Sequence, residues 1–202
     1  MSLELGALVE PMAVGHHAVG RVEVDSRDTV VIVGAGPIGI GLWFALRARG
    51  HDRVLISETS PQRRAAISRL GADEVIDPRT TDFRDSVSRL SDRAGAAVIF
   101  DAAGVGAAIT TSIPALGPRG KLVVVGVHEK PFDFNPTSLL LQEIDMIGSI
   151  VYDDADFDAV IDNMTQGRYE TAGWVEHAPL SGLLEAFEEL RAGRKMKILI
   201  DL

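Results

Sequence analysis

Val30-Val31-Ile32-Val33-Gly34-Ala35-Gly36-Pro37-Ile38-Gly39 is the stretch that decides how the chain is read. Four apolar, mostly β-branched residues in a row suit a strand buried on both faces. The glycines and proline after them suit an abrupt turn into a helix. The three glycines serve different ends. Gly34 makes the tight turn, Gly36 lets a pyrophosphate approach bare backbone, and Gly39 lets the helix lie close to the strand. Pro37 pre-sets the first helical turn. The amides of Ile38 and Gly39 fall where a helix leaves its N–H groups free, so they face an anion with the helix dipole behind them. A glycine turn can serve packing alone. The strand before it and the helix opening inside it favour a dinucleotide site.

The same rhythm runs outward. Unbroken apolar runs recur at 54–56, 75–76, 97–100 and 122–125. None alternates polar with apolar, as strands covered on one side would. Between them lie helical segments at 37–49, 60–70, 82–93 and 105–116, each followed by a glycine: Gly50, Gly71, Gly95 and Gly117. Ser60-Pro61 places a good N-cap before a proline at the first helical position. Pro114 is expected to kink or end its helix early. Strand and helix alternating at this pitch give an α/β fold, a doubly wound parallel sheet of the Rossmann type. Two more helical stretches, 156–166 and 181–193, precede a final apolar run at 197–202. That run has no evident partner in such a sheet.

Glu58 ends the second strand, roughly 20 residues past the glycines, where a carboxylate accepts hydrogen bonds from the ribose hydroxyls of NAD and repels the 2′-phosphate of NADP. Arg63 and Arg64, one helical turn on, weaken that discrimination. Asp101-Ala102-Ala103-Gly104 and Gly126-Val127 follow later strands, at the end of the sheet where ligands bind in open α/β folds. Asp101 reads as a loop-capping carboxylate.

Composition removes other classes. The 202 residues are 46% hydrophobic, enough for a sizeable core, with a net charge of −9 that disfavours a nucleic-acid groove. There is no apolar run long enough for a membrane span, no basic amphipathic face and no leader pattern, so the expected localisation is cytoplasmic. With no cysteine, these residues supply no disulfide, thiolate zinc ligand or Cys nucleophile.

Several stretches together resemble the coenzyme-binding half of the zinc-type medium-chain dehydrogenases (alcohol dehydrogenases). They are residues 7–15, the glycine loop, Arg69-Leu70-Gly71-Ala72-Asp73, residues 120–126 and Gly148-Ser149-Ile150-Val151-Tyr152. Gly126-Val127-His128-Glu129-Lys130-Pro131 is most similar to the butanediol, sorbitol and threonine dehydrogenase branch, the butanediol enzymes above all. The resemblance implies NAD-linked oxidation of a secondary alcohol, or reduction of the ketone, with a catalytic zinc polarising the substrate oxygen. It implies that Gly34, Ala35, Gly36, Pro37, Ile38 and Gly39 hold the pyrophosphate. Glu58 takes the adenosine ribose, Arg63 lies near the adenine, and Gly104 and Val105 flank the adenosine. Val125, Gly126, Val127, Ser149, Ile150 and Val151 line the nicotinamide. Glu10 matches a carboxylate that approaches the zinc. Its bland alternative is a helix-start glutamate before Pro11. Adjacent His16 and His17 point about 100° apart on a helix and are left out of the site.

The departures from the family are as informative. The β-rich domain that supplies the zinc ligands in that family has no counterpart in these residues and is expected to be missing, so zinc is expected only if that domain is supplied, and no catalytic residue is assigned. Met1-Ser2-Leu3 reads as a start and a cloning scar. The expected organisation is a remnant and lead-in helix at 1–28, an NAD-binding Rossmann domain at 29–152, and helices and a last strand at 153–202 that pack on the missing part. The last strand is therefore expected to be loosely held, with Leu183, Leu184, Phe187 and Leu190 exposed. Residues 145–151 form a candidate edge strand for a homodimer. A stand-alone dinucleotide-binding module or NADH sensor is the alternative function. A methyltransferase is a third, disfavoured by the closed glycine spacing.

Overall fold

Strands that are apolar on both faces need a layer on each side, and the chain supplies them by alternation. A computed structural model describes residues 1–92 and 94–202. It begins with an 18-residue helix, α1 (Leu3–Gly20), and then alternates. β1 (Val30–Val33) leads to α2 (Pro37–Ala48), β2 (Val54–Ser57) to α3 (Pro61–Arg69), and β3 (Glu74–Ile76) to α4 (Phe83–Leu90). β4 (Ala96–Asp101) follows, then α5 (Gly106–Ser112), a short 3-10 turn (Ile113–Ala115) and β5 (Leu116–Val124). α6 (Thr137–Leu140), β6 (Asp145–Gly148) and α7 (Asp154–Thr165) complete the main layer, and β7 (Val175–Pro179), α8 (Leu183–Arg191) and β8 (Lys197–Asp201) end the chain.

The sheet is parallel, in the order β3-β2-β1-β4-β5-β6. Chain order reverses between β1 and β4, which is the switch point where α/β sheets take ligands. Alternate residues feed opposite layers. Val30, Ile32, Ile56, Phe100 and Val123 face the cluster under α1, α2 and α7, whereas Val31, Leu55, Ile99 and Leu122 face α4 and α5. α1 crosses α2 at two glycines: a Cβ on Gly15 would stand 2.5 Å from the Gly41 carbonyl carbon. Among the described residues, no helix is long and apolar enough to cross a membrane.

Several local expectations need correction. β8 stays outside the six-stranded sheet, as expected, but is not an orphan: it pairs in parallel with β7, in register from Val175–Lys197 to Pro179–Asp201. β7 carries glutamate, histidine and proline, so its apolar signal is weak and the pairing could not be read in advance. Leu184 and Phe187 are exposed as expected, but Leu183 and Leu190 are only half-buried. Glu10 is not at a helix start, because Ser2 caps α1 and Pro11 lies inside it. The candidate edge strand stops at Gly148, and Val151 turns into the left-handed region at φ 50°. As expected, α5 ends early at Pro114, which lies in a 3-10 turn. β5 begins at Leu116 rather than after Gly117-Pro118, with a register break against β4 between Ala96 and Val98. α4 closes at Leu90, and its expected end at Arg93 lies outside the described residues.

Candidate dinucleotide cleft

The turn after β1 is built as a glycine turn must be. Gly34 has φ +100°, and a Cβ on it would meet Ala102 and Ala103 backbone at 3.1 Å. Gly36 is the N-cap of α2 with no side-chain cap, and Pro37 is the first helical residue. The first backbone bond of the helix runs from Ile40 N–H to Gly36 O at 2.9 Å, so the amides of Ile38 and Gly39 are not consumed by the helix ladder. A Cβ on Gly39 would sit 1.9 Å from Gly34 O. This glycine is what allows α2 to start so close to the strand.

Glu58 is buried, 5% exposed, at the end of β2. Its Oε2 accepts from Ala35 N–H at 2.7 Å and its Oε1 from Ser60 N–H at 2.7 Å. One carboxylate thus ties the glycine turn to the loop opening α3. Thr59 Oγ1 also donates to Oε1, at 3.4 Å, so Oε2 is the oxygen that keeps a further lone pair for a ribose hydroxyl. Arg63 Nη1 lies 3.9 Å from Glu58 Oε2 and beside the space a Gly36 side chain would fill. Arg64 and Arg79 both pair with Asp77, at 3.1 and 2.7 Å. The hydrogen bond from Arg79, with Arg64 behind it, holds the Asp77 carboxyl well below the usual carboxylate range.

These groups bound a cleft of about 500 Å³ lined by Gly34, Gly36, Glu58, Arg63, Ala103 and Val105 among others. Ala35 is buried behind it. Arg79 also lines it and was not anticipated, because nothing in its local sequence marks a loop arginine as a cleft residue. Gly104, Val125, Gly126, Val127, Ser149, Ile150 and Val151 lie at the same carboxyl end of the sheet, on the loops after β4, β5 and β6. Val127, Ile150 and Val151 are exposed. Buried polar atoms without protein partners include Arg63 Nε at one end of this row and His128 Nδ1 and Ser149 Oγ at the other. Orphaned polar atoms on both sides of a bare glycine cradle suit an elongated polar ligand.

A zinc centre does not fit these residues alone. Glu10 is exposed on α1. Among the described residues the one trio close enough to share an ion is His17, Asp153 and Asp156, and Glu10 is not in it. His16 and His17, expected to diverge, both turn Nδ1 onto Asp156, at 2.9 and 2.7 Å. A carboxylate from the distant α7 accepts from both rings, which a local helix argument could not foresee.

Residues 37–166 match the zinc-binding dehydrogenase family. The (R,R)-butanediol dehydrogenase of Neisseria gonorrhoeae is 35% identical over 151 residues, 74% of this chain and 42% of that protein. The 2-dehydro-3-deoxy-L-galactonate 5-dehydrogenase of Pseudoalteromonas atlantica is 31% identical over 203 residues, 100% of this chain and 59% of that protein. The crystal structure of 2R,3R-butanediol dehydrogenase from Bacillus subtilis superimposes with a TM-score of 0.91 at 31% identity, covering 100% of this chain and 58% of that one. The chain therefore spans about half the length of the relatives it matches.

Proposed function

The chain belongs to the zinc-binding dehydrogenase family, and on that premise we propose that it is the NAD(H)-holding part of a secondary-alcohol or polyol dehydrogenase of the butanediol kind. The observation that carries the reading is the Glu58 carboxylate, buried at the end of β2 and hydrogen-bonded to the glycine turn. The turn formed by Gly34, Gly36, Pro37, Ile38 and Gly39 offers free amides to the pyrophosphate. Glu58 accepts from the adenosine ribose, and Arg63 lies along the adenine side. Gly104 and Val105 flank the adenosine. The loops holding Val125, Gly126, Val127, Ser149, Ile150 and Val151 seat the nicotinamide. In such a reaction the carbinol carbon gives a hydride to C4 of the nicotinamide while the hydroxyl proton leaves to a base. A catalytic zinc would polarise the substrate oxygen, and Glu10 would be at most one of its ligands. These 202 residues hold no cysteine to supply a thiolate ligand, and Glu10 is not in the one trio of described residues close enough to share an ion, so this chain by itself is expected to bind NAD(H) without turnover.

The test is a fluorescence titration with NADH and NADPH. Saturable NADH binding, with NADPH clearly weaker, is the expected result; no binding of either overturns the reading. Glu58→Gln probes the discrimination. Both carboxylate oxygens accept from N–H donors, so the introduced NH₂ must face one of them, and affinity for both coenzymes falls. The ratio shifts toward NADPH by roughly tenfold, equivalent to about 1.4 kcal/mol. An unchanged ratio removes Glu58 from the ribose.

A homodimer through the β6 edge is part of the same proposal. β6 is the outer strand of the sheet, and Met146, Ile150 and Val151 stand exposed along and just beyond it. An unpaired edge with apolar side chains is a pairing surface. Light scattering should give twice the chain mass, and a Met146→Lys variant should give the monomer. A monomeric wild type at high concentration overturns this part.

A further inference from the structure

Asp101 is the hub of the nicotinamide side of the cleft. It is fully buried at the end of β4. Its carbonyl oxygen accepts from the amides of Val125 (3.0 Å) and Gly126 (2.8 Å) on the loop after β5. Its Oδ1 accepts from the amides of Ala103 (3.0 Å) and Gly104 (3.1 Å) on its own loop. Its Oδ2 lies 2.7 Å from His128 Nε2. With two amides on the other oxygen the carboxylate is an acceptor, so Nε2 carries the proton and donates. Nδ1 is buried and unpartnered among the described residues, so the bond to Asp101 is the ring's whole polar hold.

The loops so joined are in hard contact. Gly104 has φ +64°, and a Cβ on it would stand 2.4 Å from Val127 O. A Cβ on Gly126 would stand 2.4 Å from Gly104 N. Beyond His128 the chain packs back over the start of α5: the His128 and Phe132 rings are 5.4 Å apart, and Phe132 fills the space above Gly106. Val127 itself is 85% exposed, so no burial of its own side chain fixes it. Gly126 is tied through its own amide to Asp101 O, and beyond it the polar anchor of residues 127 and 128 is the His128 side chain.

We propose that His128 is a positioning residue for the nicotinamide half of the coenzyme: through its bond to Asp101 it holds the Val127 backbone, beyond the amide-anchored Gly126, against Gly104 in the shape that half requires. This rests on the dinucleotide reading above. It does not extend to the adenosine half, because Asp101 Oδ1 keeps the Ala103–Gly104 turn without His128, and Glu58 and Arg63 lie across the switch point.

The experiment compares NADH with ADP-ribose, which lacks the nicotinamide, on the 202-residue chain and its His128→Leu and His128→Gln variants. His128→Leu should weaken NADH roughly tenfold and leave ADP-ribose unchanged. His128→Gln, which restores an N–H near the same place, should recover most of the loss. Equal loss of both ligands, or no loss of either, overturns the proposal. A second readout needs no variant. In ¹⁵N spectra of the wild type, the His128 ring should show the Nε2–H tautomer and shift on adding NADH but not ADP-ribose. A signal indifferent to NADH in a protein that binds it overturns the positioning role alone. A wild type that binds neither ligand overturns the dinucleotide reading itself.

Discussion

Gly39→Ala should weaken dinucleotide binding by roughly 100-fold or more and lower the melting temperature by roughly 6–12 °C, the shift expected for a loss of about 3 kcal/mol in a domain of this size. The added Cβ would lie 1.9 Å from Gly34 O and 2.9 Å from Gly34 C. Both are main-chain atoms, so no side chain can swing away. Either the β1–α2 turn opens or α2 slides along the sheet. Both displace the amides of Ile38 and Gly39 from the anion, and losing two such hydrogen bonds weakens NADH by roughly 100-fold or more. Gly15→Ala is the control. Its Cβ would be 2.5 Å from Gly41 C where α1 crosses α2, away from the cleft. It should destabilise to a similar degree while the folded fraction still binds NADH. If Gly39→Ala binds NADH as the wild type does, the turn is not the pyrophosphate seat. If Gly15→Ala also loses binding when folded, the comparison no longer isolates the turn.

The parts of this molecule legible in the sequence are those set by short-range rules. A residue run with apolar side chains on both faces is a central parallel strand wherever it lies, and β1, β2 and β4 followed from that alone. Cap chemistry placed α3, whose Ser60 does accept from the Arg63 amide, at 3.4 Å. Gly34 and Glu58 were legible because turn geometry and a carboxylate at the strand end belong to one local unit. What escaped depends on distant partners. β7 and β8 pair across an intervening helix, and β7 has too few apolar residues to announce itself. Arg79 reaches the cleft only because β3 lies beside β2. His128 finds Asp101 because β5 lies beside β4, a neighbour relation no local pattern around His128 encodes. The pair of histidines on α1 shows the same limit. Helix pitch sets their divergence, but the acceptor that accommodates both comes from α7, some 140 residues away.

That acceptor gives the second large expected effect. Asp156 sits at the start of α7, where it closes a capping box with Asp153 while receiving both imidazoles from α1. Its side chain is 12% exposed. Burial by itself would raise its pKa, but the amide of Asp153 and the bonds from His16 and His17 outweigh it and hold the carboxyl below its ordinary value. The nearby Arg49 guanidinium feels the same charge: burial lowers its pKa, and Asp156 acts to raise it. Asp156→Asn keeps the shape but removes the charge from all of these partners. Charge-assisted bonds contribute roughly 1.5–3 kcal/mol each, so a loss of about 3 kcal/mol at neutral pH follows. The pH dependence has a definite sign. A carboxyl whose folded pKa lies below its unfolded value of about 3.9 stabilises the fold above that value and loses the contribution as pH falls through the folded pKa. The gap between wild type and Asp156→Asn in urea unfolding should therefore be full at pH 7 and 5, begin to close near pH 4, and keep closing below it. A gap that stays constant down to pH 3 would mean that the carboxylate charge is not what fastens α1 to α7, and that the two helices are held by the apolar packing of Val160 and Met164 alone.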